Sequence, residues 1–303
     1  MKETKTFPAH WFNSFTIQVY RLIIGRILPA SWFREKIPTV SERKAVNGPF
    51  NLEIVSHCWG YASMLNYQLS SFVNYAPTKL HLTVTVFYAG EDQKTQAVVN
   101  FFNAMEIDNI TWNFQVMSKS KLFRRGIGRN MAARSTAADW IWFTDCDIIF
   151  HENCLDSLAD ELQGEQGLLF FPEEEKITSM LADDDPMLCK DAEPHRIDIE
   201  TDNFSLYKRS KSREKARGPF QIVHADVARA IGYCEKLAMF QTESKRWRKT
   251  YEDCAFRWLL GTCGEPKKID GVFHIHHITK GRYVKDSAFS QLRSKIRLSK
   301  KYA

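Results

Sequence analysis

At 303 residues, 44% hydrophobic and 26% charged, the chain has apolar material for one large core or two modest ones, which excludes a disordered or fibrous protein. The formal net charge of +6 is gathered at the C-terminus, where 279–303 carries Lys280, Arg282, Lys285, Arg293, Lys295, Arg297, Lys300 and Lys301 against Asp286 alone. A nucleic-acid binder is disfavoured, since these bases form a tail and are not interleaved with aromatics across a surface. An anion-facing tail, for a membrane surface or a phosphorylated substrate, and a solvated basic end both fit. The seven cysteines form no C-x-x-C pair, which fits reduced thiols and a cytoplasmic protein, peripheral on the inner face of a membrane if it meets one.

In chain order, residues 1–49 read as an N-terminal amphipathic extension. Phe7 to Phe33 is apolar and aromatic but broken by His10, Arg21 and Arg26, so it lacks the run of about 18 uncharged residues that a spanning helix needs. Ile17, Tyr20, Ile24, Ile27 and Leu28 fall near helical spacing, as in a helix lying in a membrane interface or docked on the main domain. Gly48-Pro49 marks a boundary. Leu52 to Cys58 then reads as a strand, Ser63 to Asn74 as a helix, Leu80 to Tyr88 as a strand, Gln93 to Met105 as a helix and Ile110 to Met117 as a third strand. This alternation predicts an α/β fold with a mostly parallel central sheet flanked by helices, in a single large domain over 50–285, followed by a basic tail at 286–303.

A helix over Gly126 to Ala138 leads into ADWIWFTDCDIIF, Ala138 to Phe150. Trp140 to Thr144 suits a strand buried on both faces. Asp145 and Asp147 are two apart, so in extended chain they point the same way. Such a pair of carboxylates suits a hard divalent cation, and a strand-to-turn transition with two solvated aspartates uses the same residues. Ligands of open α/β sheets sit at the carboxyl ends of the strands, where Ser56, His57, Gly90, Glu91, Asp92, Asp145 and Asp147 all fall. The long polar stretch Glu173 to Arg217 reads as a mobile or insertion-like segment.

Four pieces in order resemble the GT-A glycosyltransferases, especially the inverting family 2 enzymes, over about residues 50 to 285. They are GIGRNMAARSTAADWIWFTDCD (Gly126 to Asp147) with its D-x-D, GPFQIVHADVARAIGYCE (Gly218 to Glu235), the E-D helix YEDCAFRWLLGTCG (Tyr251 to Gly264), and VFHIHHITKGR (Val272 to Arg282) with its late histidines. The resemblance implies a metal at Asp147, with Asp145 on the ribose or a metal-bound water, and a late histidine, from His274, His276 and His277, completing the metal site. In a strand His274 and His276 share one face and His277 takes the other, so all three are not expected on one ion. Imidazole ligands favour Mn2+ over Mg2+. Arg129, at a helix start and within the matching motif, is expected to add positive charge near the nucleotide, and Lys280 and Arg282, just after the histidines, to close over the diphosphate as part of a loop. Where the family carries a D-D-G-S type turn for the base, this chain has AGEDQKT, so Glu91 or Asp92 takes that place. Asp253, beside Glu252, is implied as the general base, although helix N-termini favour acids for structural reasons alone. The Q-x-x-R-W motif of processive synthases is missing from the position after Asp253.

The expected function is therefore a metal-dependent, inverting hexosyltransferase. It would move one sugar from a nucleotide-diphosphate donor, UDP-linked by preference, to a hydroxyl acceptor such as a glycan or lipid-linked glycan. The alternative is a non-catalytic nucleotide- or glycan-binding protein on the same fold.

Overall fold

The computed structural model describes residues 28–182, 184–188, 193–207, 214–245 and 251–278. Most of the N-terminal helix expected over Phe7 to Phe33, and the basic tail with Lys280 and Arg282, lie outside the described residues.

The first half alternates strand and helix as the periodicity predicts: β1 (Phe50–Cys58), α1 (Ala62–Asn74), β2 (Leu80–Tyr88), α2 (Gln93–Asn103), β3 (Ile110–Val116), α3 (Arg125–Ser135) and β4 (Trp140–Phe143). The second half is built of shorter pieces: β5 (Ile148–Phe150), α4 (Cys154–Glu161), β6 (Leu169–Pro172), β7 (Glu175–Thr178), β8 (Phe204–Tyr207), β9 (Gln221–His224), α5 (Ala225–Ile231), α6 (Glu252–Leu260), β10 (Glu265–Lys267) and β11 (Val272–His274). Among the described residues, seven strands form one sheet in the order β10-β6-β9-β4-β1-β2-β3, mostly parallel with β9 antiparallel to both neighbours. Four more form a small sheet in the order β5-β11-β7-β8. The α/β class with a mostly parallel, helix-flanked sheet is the one the alternation predicts.

β4 is central and every residue of WIWF is buried, because the sheet is covered on both faces. Burying Ile141 and Phe143 contributes about 1.5–3 kcal/mol each. Asp92 caps α2, its Oδ1 accepting from Thr95 N at 3.3 Å, which satisfies one of the donors left open at a helix start.

Two expectations change. β4 ends at Phe143, and a turn closed by Ile148 N donating to Asp145 O at 3.3 Å carries the chain from the large sheet into the small one. Asp145 and Asp147 therefore do not share one extended face, since the D-C-D run is the corner between two sheets. Nor is Glu173 to Arg217 a mere insertion. It supplies β7 and β8, and its Leu181, Leu188, Ile199 and Phe204 form a core with Met64, Ile149, Phe273 and Ile275. Its charges hid a strand pair because these short strands bury little: Glu175 and Thr178 in β7 and Phe204 alone in β8.

The described end of the N-terminal extension packs on α6. The Phe33 and Trp258 rings lie 5.5 Å apart, and Arg34 Nε donates to Leu259 O at 2.6 Å. Among the described residues no helix is long and apolar enough to cross a membrane.

Candidate active site

The site grows from the corner after β4 and the helix that precedes that strand. Arg125 and Arg129 are one turn apart on α3 and so lie on one face. They reach the corner because α3 presses onto β1 on one side and onto the helical turn Ala238–Gln241 on another, with glycine at each contact: a Cβ on Gly128 would sit 2.3 Å from His57 Nε2, and one on Gly126 2.6 Å from Phe240 O.

Asp145 Oδ1 is ion-paired with Arg125 Nη1 and lies 3.3 Å from Arg129 Nη2. The fully buried Arg129 also donates to Thr144 O at 3.3 Å, Gly218 O at 3.0 Å and the Tyr233 hydroxyl at 2.9 Å. That hydroxyl passes its own hydrogen to Gln221 Oε1 at 2.8 Å, and Gln221 Nε2 donates to Asp253 O at 3.3 Å. Burial holds the Tyr233 phenol well above its usual range, so it stays a neutral relay between Arg129 and Gln221.

Arg125 has a second partner, Glu252 Oε1 at 3.4 Å from its Nε. One guanidinium thus joins the corner to the first residue of α6. The two acids that open α6 differ in exposure: the Glu252 side chain is 4% exposed, whereas that of Asp253 is 27% exposed with its Oδ2 3.4 Å from Arg257 Nη1. Tyr251, just before them, adopts φ +60°, a left-handed conformation that costs about 1–3 kcal/mol and is kept only where surrounding structure enforces it.

Asp147 looks the other way. Its Oδ2 lies 3.4 Å from His274 Nε2 and 3.5 Å from His277 Nε2, and its backbone carbonyl accepts from Ile275 N at 2.9 Å. The pairing of β11 with β5 sets His274 opposite Ile148, one residue past Asp147. The strand stops at His274, so the alternation expected to turn His277 away does not reach it. A parallel bridge from Leu181 to His277 instead brings His277 to the same oxygen, with its ring edge-on to Tyr61 at 5.5 Å. His276 donates its backbone N–H to Thr178 Oγ1 at 2.8 Å, and its ring lies 4.7 Å from that of His274.

As they stand, no group of three or more His, Cys, Asp or Glu among the described residues is placed so that it could hold a metal ion. Two donors about 2.1 Å from one ion and roughly a right angle to a tetrahedral angle apart would be about 3.0–3.4 Å from each other. The separations of 3.4 and 3.5 Å around Asp147 Oδ2 are therefore within a few tenths of an ångström of those demanded by a shared cation, and a carboxylate with two imidazoles is a fitting donor set.

Asp92 is bound by Thr95 Oγ1 and by Gly60 N, both at 2.7 Å, so it ties α2 to the loop after β1 at the same sheet edge; Glu91 beside it is exposed. Cys146, between the two aspartates, is a buried thiol whose pKa is pushed well up by its hydrogen bond with Cys58 and by burial, which keeps it from acting as a nucleophile. His57, at the carboxyl end of β1, is held well below the usual imidazole range by burial and by Arg129 and Arg125, and is neutral.

Sequence reasoning missed Glu175, Arg217, Tyr233 and Gln221. Glu175 Oε2 lies 3.3 Å from His274 Nδ1, and its Oε1 is ion-paired with Arg217 Nη2. Nothing in the run Glu173-Glu174-Glu175 marks the third as buried.

No protein-family model matches the chain, and no curated protein matches it. Solved structures do. S. aureus TarS 1–349 is 14% identical, covering 78% of this chain and 59% of that one with a TM-score of 0.41. The same segment in complex with UDP-GlcNAc is 16% identical over 44% of this chain and 35% of that one, with a TM-score of 0.33. The mannosyltransferase PcManGT from Pyrobaculum calidifontis, in complex with GDP-Man and Mn2+, is 15% identical over 54% of this chain and 44% of that one, with a TM-score of 0.32. The chain thus spans between 35% and 59% of the length of these three structures. Overlap of this kind identifies neither activity nor substrate.

Proposed function

We propose that the protein is a GT-A type inverting glycosyltransferase, transferring one hexose from a nucleotide-diphosphate sugar, UDP-linked by preference, to a hydroxyl acceptor of a glycan or lipid-linked glycan. The observation that carries this reading is the shared guanidinium of Arg125, bound at once to Asp145 and Glu252. It brings the acidic corner and the start of the E-D helix into one cluster, and Asp147 faces two imidazoles at the same corner.

In this reading Asp253 takes the proton of the acceptor hydroxyl. It is the more exposed of the two acids opening α6, and Arg257 at 3.4 Å steadies its carboxylate. A single displacement with inversion needs one base, which contributes about 10²- to 10⁴-fold. Glu252, buried against Arg125, keeps that arginine in place. Arg125 and Arg129 hold Asp145, which is assigned to the ribose of the donor, or to the outer sphere of a bound cation. Glu91 or Asp92 is assigned to the base, while Lys280 and Arg282, shortly after His277 in sequence, are assigned to the diphosphate.

Asp147, His274 and His277 are the residues that would hold a divalent cation, Mn2+ in preference to Mg2+ because two of the donors are imidazoles; His276, beside His274, is the reserve ligand. When bound, such a cation supplies Lewis acidity that offsets the charge of the leaving diphosphate. Contact with the inner face of a membrane through the N-terminal segment and the basic tail fits a lipid-linked acceptor.

The test is a panel of nucleotide sugars, scored for binding by thermal shift and for hydrolysis or transfer with and without Mn2+. We expect Mn2+-dependent turnover, lost about 10²- to 10⁴-fold in Asp253→Ala. Donor binding without turnover by the unaltered protein would replace the enzyme with a nucleotide- or glycan-binding protein.

A further inference from the structure

A line of charged groups runs away from Asp147 into the small sheet. His274 faces Asp147 with Nε2 at 3.4 Å and Glu175 with Nδ1 at 3.3 Å. The Glu175 side chain is fully buried, and its second oxygen is ion-paired with Arg217. A carboxylate only accepts hydrogen bonds, so the contact with Glu175 calls for a hydrogen on Nδ1, and a cation at Asp147 would take the place of any proton on Nε2. At 3.4 Å Nε2 and the Asp147 carboxylate favour a positive charge between them, whether a proton or a bound cation. A buried carboxylate behind the ring also raises its basicity and fixes its orientation, the arrangement by which metal-binding histidines are held.

Arg217 is what makes a buried Glu175 affordable, since an uncompensated carboxylate in the interior is strongly disfavoured. The guanidinium lies 5.0 Å from the Phe220 ring centroid, and that ring stands edge-on to His274 at 6.1 Å. Its chain neighbours reach the rest of the site. Ala216 O accepts from Arg257, the partner of Asp253, and Gly218 O accepts from Arg129, the partner of Asp145. Three consecutive residues thus touch the supports of Asp253, His274 and Asp145 in turn.

We infer that Glu175, backed by Arg217, is a positioning residue for a divalent cation: it fixes His274 as the Nδ1–H tautomer with Nε2 aimed at the position shared with Asp147 and His277. This rests on the cation reading of the proposed function.

Titration of MnCl2 into the full chain, followed by calorimetry, tests it. Glu175→Met should weaken Mn2+ binding about 10- to 100-fold. Glu175→Gln, which keeps an acceptor for Nδ1–H, should weaken it less, and Arg217→Met should fall between the two. Imidazole ¹⁵N spectra of the unaltered protein with Mg2+ should show the His274 hydrogen on Nδ1, a readout that holds even where Glu175→Met fails to fold. Equal Mn2+ affinity in all variants, or a hydrogen on Nε2, overturns the role of Glu175 and leaves the cation reading standing. Failure of the unaltered protein to bind Mn2+ at all overturns both.

Discussion

The two sheets are assembled on different rules, and the corner Thr144 to Asp147 belongs to both. In the large sheet β1, β2 and β3 pair in chain order, with strands of 9, 9 and 7 residues joined by helices of 13 and 11. The small sheet collects strands of three or four residues from four distant places, and its bonds span 98 and 99 positions, as from His276 N to Thr178 and from His274 to Glu175. Local pattern builds the first, whereas the second forms only once long loops have closed. Asp145 and Asp147, two residues apart, are consequently held by different machinery. Asp145 is gripped by arginines of the large-sheet half and Asp147 by histidines of the small one.

Substituting each aspartate separately sharpens this difference, and gives the largest effects. Asp147→Ala should abolish Mn2+ binding and lower turnover about 10³-fold, the equivalent of several kcal/mol of lost charge stabilisation. Asp145→Asn should leave Mn2+ binding in place and weaken donor affinity instead. Calorimetry with the ion and with the donor separates them, and equal loss of Mn2+ binding in both variants would show that the corner acts as one unit.

Asp253→Ala comes next, at about 10²- to 10⁴-fold in kcat. Its readout differs from that of Asp147→Ala: Mn2+ affinity should change little, because α6 meets the corner directly through Arg125 and the histidines only at one remove, through Arg257 on Ala216 O beside Arg217. A fall in Mn2+ affinity in this variant would mean that α6 supports the small sheet as well.

The same division decides what could be read from the chain. Leu80–Tyr88 was legible to the residue, because nine residues with β-branched Thr83 to Val86 at their centre and apolar or aromatic ends leave little choice, and the D-x-D, the E-D pair and the late histidines stood out as acids and imidazoles. The turn at 145–148 was legible only as one of two alternatives: Asp favours turns, but the apolar Ile148 to Phe150 that follows lets the run be read as one extended strand. Glu175 and Arg217 were hidden for a related reason. A charged residue becomes interior only when another charge far along the chain meets it, and no local window contains both.

Gly128→Ala attacks the contact by which the large-sheet half delivers its arginines. The new Cβ would be 2.3 Å from His57 Nε2 and 3.0 Å from Phe87 Cδ2, so α3 must shift or the imidazole must move. Overpacking of this kind costs about 1–3 kcal/mol. Urea unfolding should show that loss, together with weaker donor binding as Arg125 and Arg129 are displaced from Asp145. Adding His57→Ala should return part of both, making the double variant more stable than the sum of the two singles. Strict additivity would remove His57 from the account of how α3 is placed.

The smallest expected effect is a pH dependence that belongs to the large sheet. His57 on β1 and His224 at the end of β9 are both held below the usual imidazole range, chiefly by burial. Below about pH 6.5 the unfolded chain takes up protons that these rings refuse in the folded state. The unfolded state therefore binds more protons, and stability falls as the pH drops through that value towards the lowered folded pKa of each ring, by at most about 1.4 kcal/mol per pH unit for each. Glu53, whose pKa is raised by burial, acts in the opposite sense: below its raised value the folded state binds the extra proton, which adds stability as the pH falls towards the ordinary carboxylate range. Denaturant unfolding at pH 7.5 and 5.5 should thus give a lower stability at the acid end, with a smaller drop in His57→Phe, where one refused proton is removed. An identical drop in that variant would assign the acid sensitivity away from β1 and break the link between this buried imidazole and the strength of the parallel half.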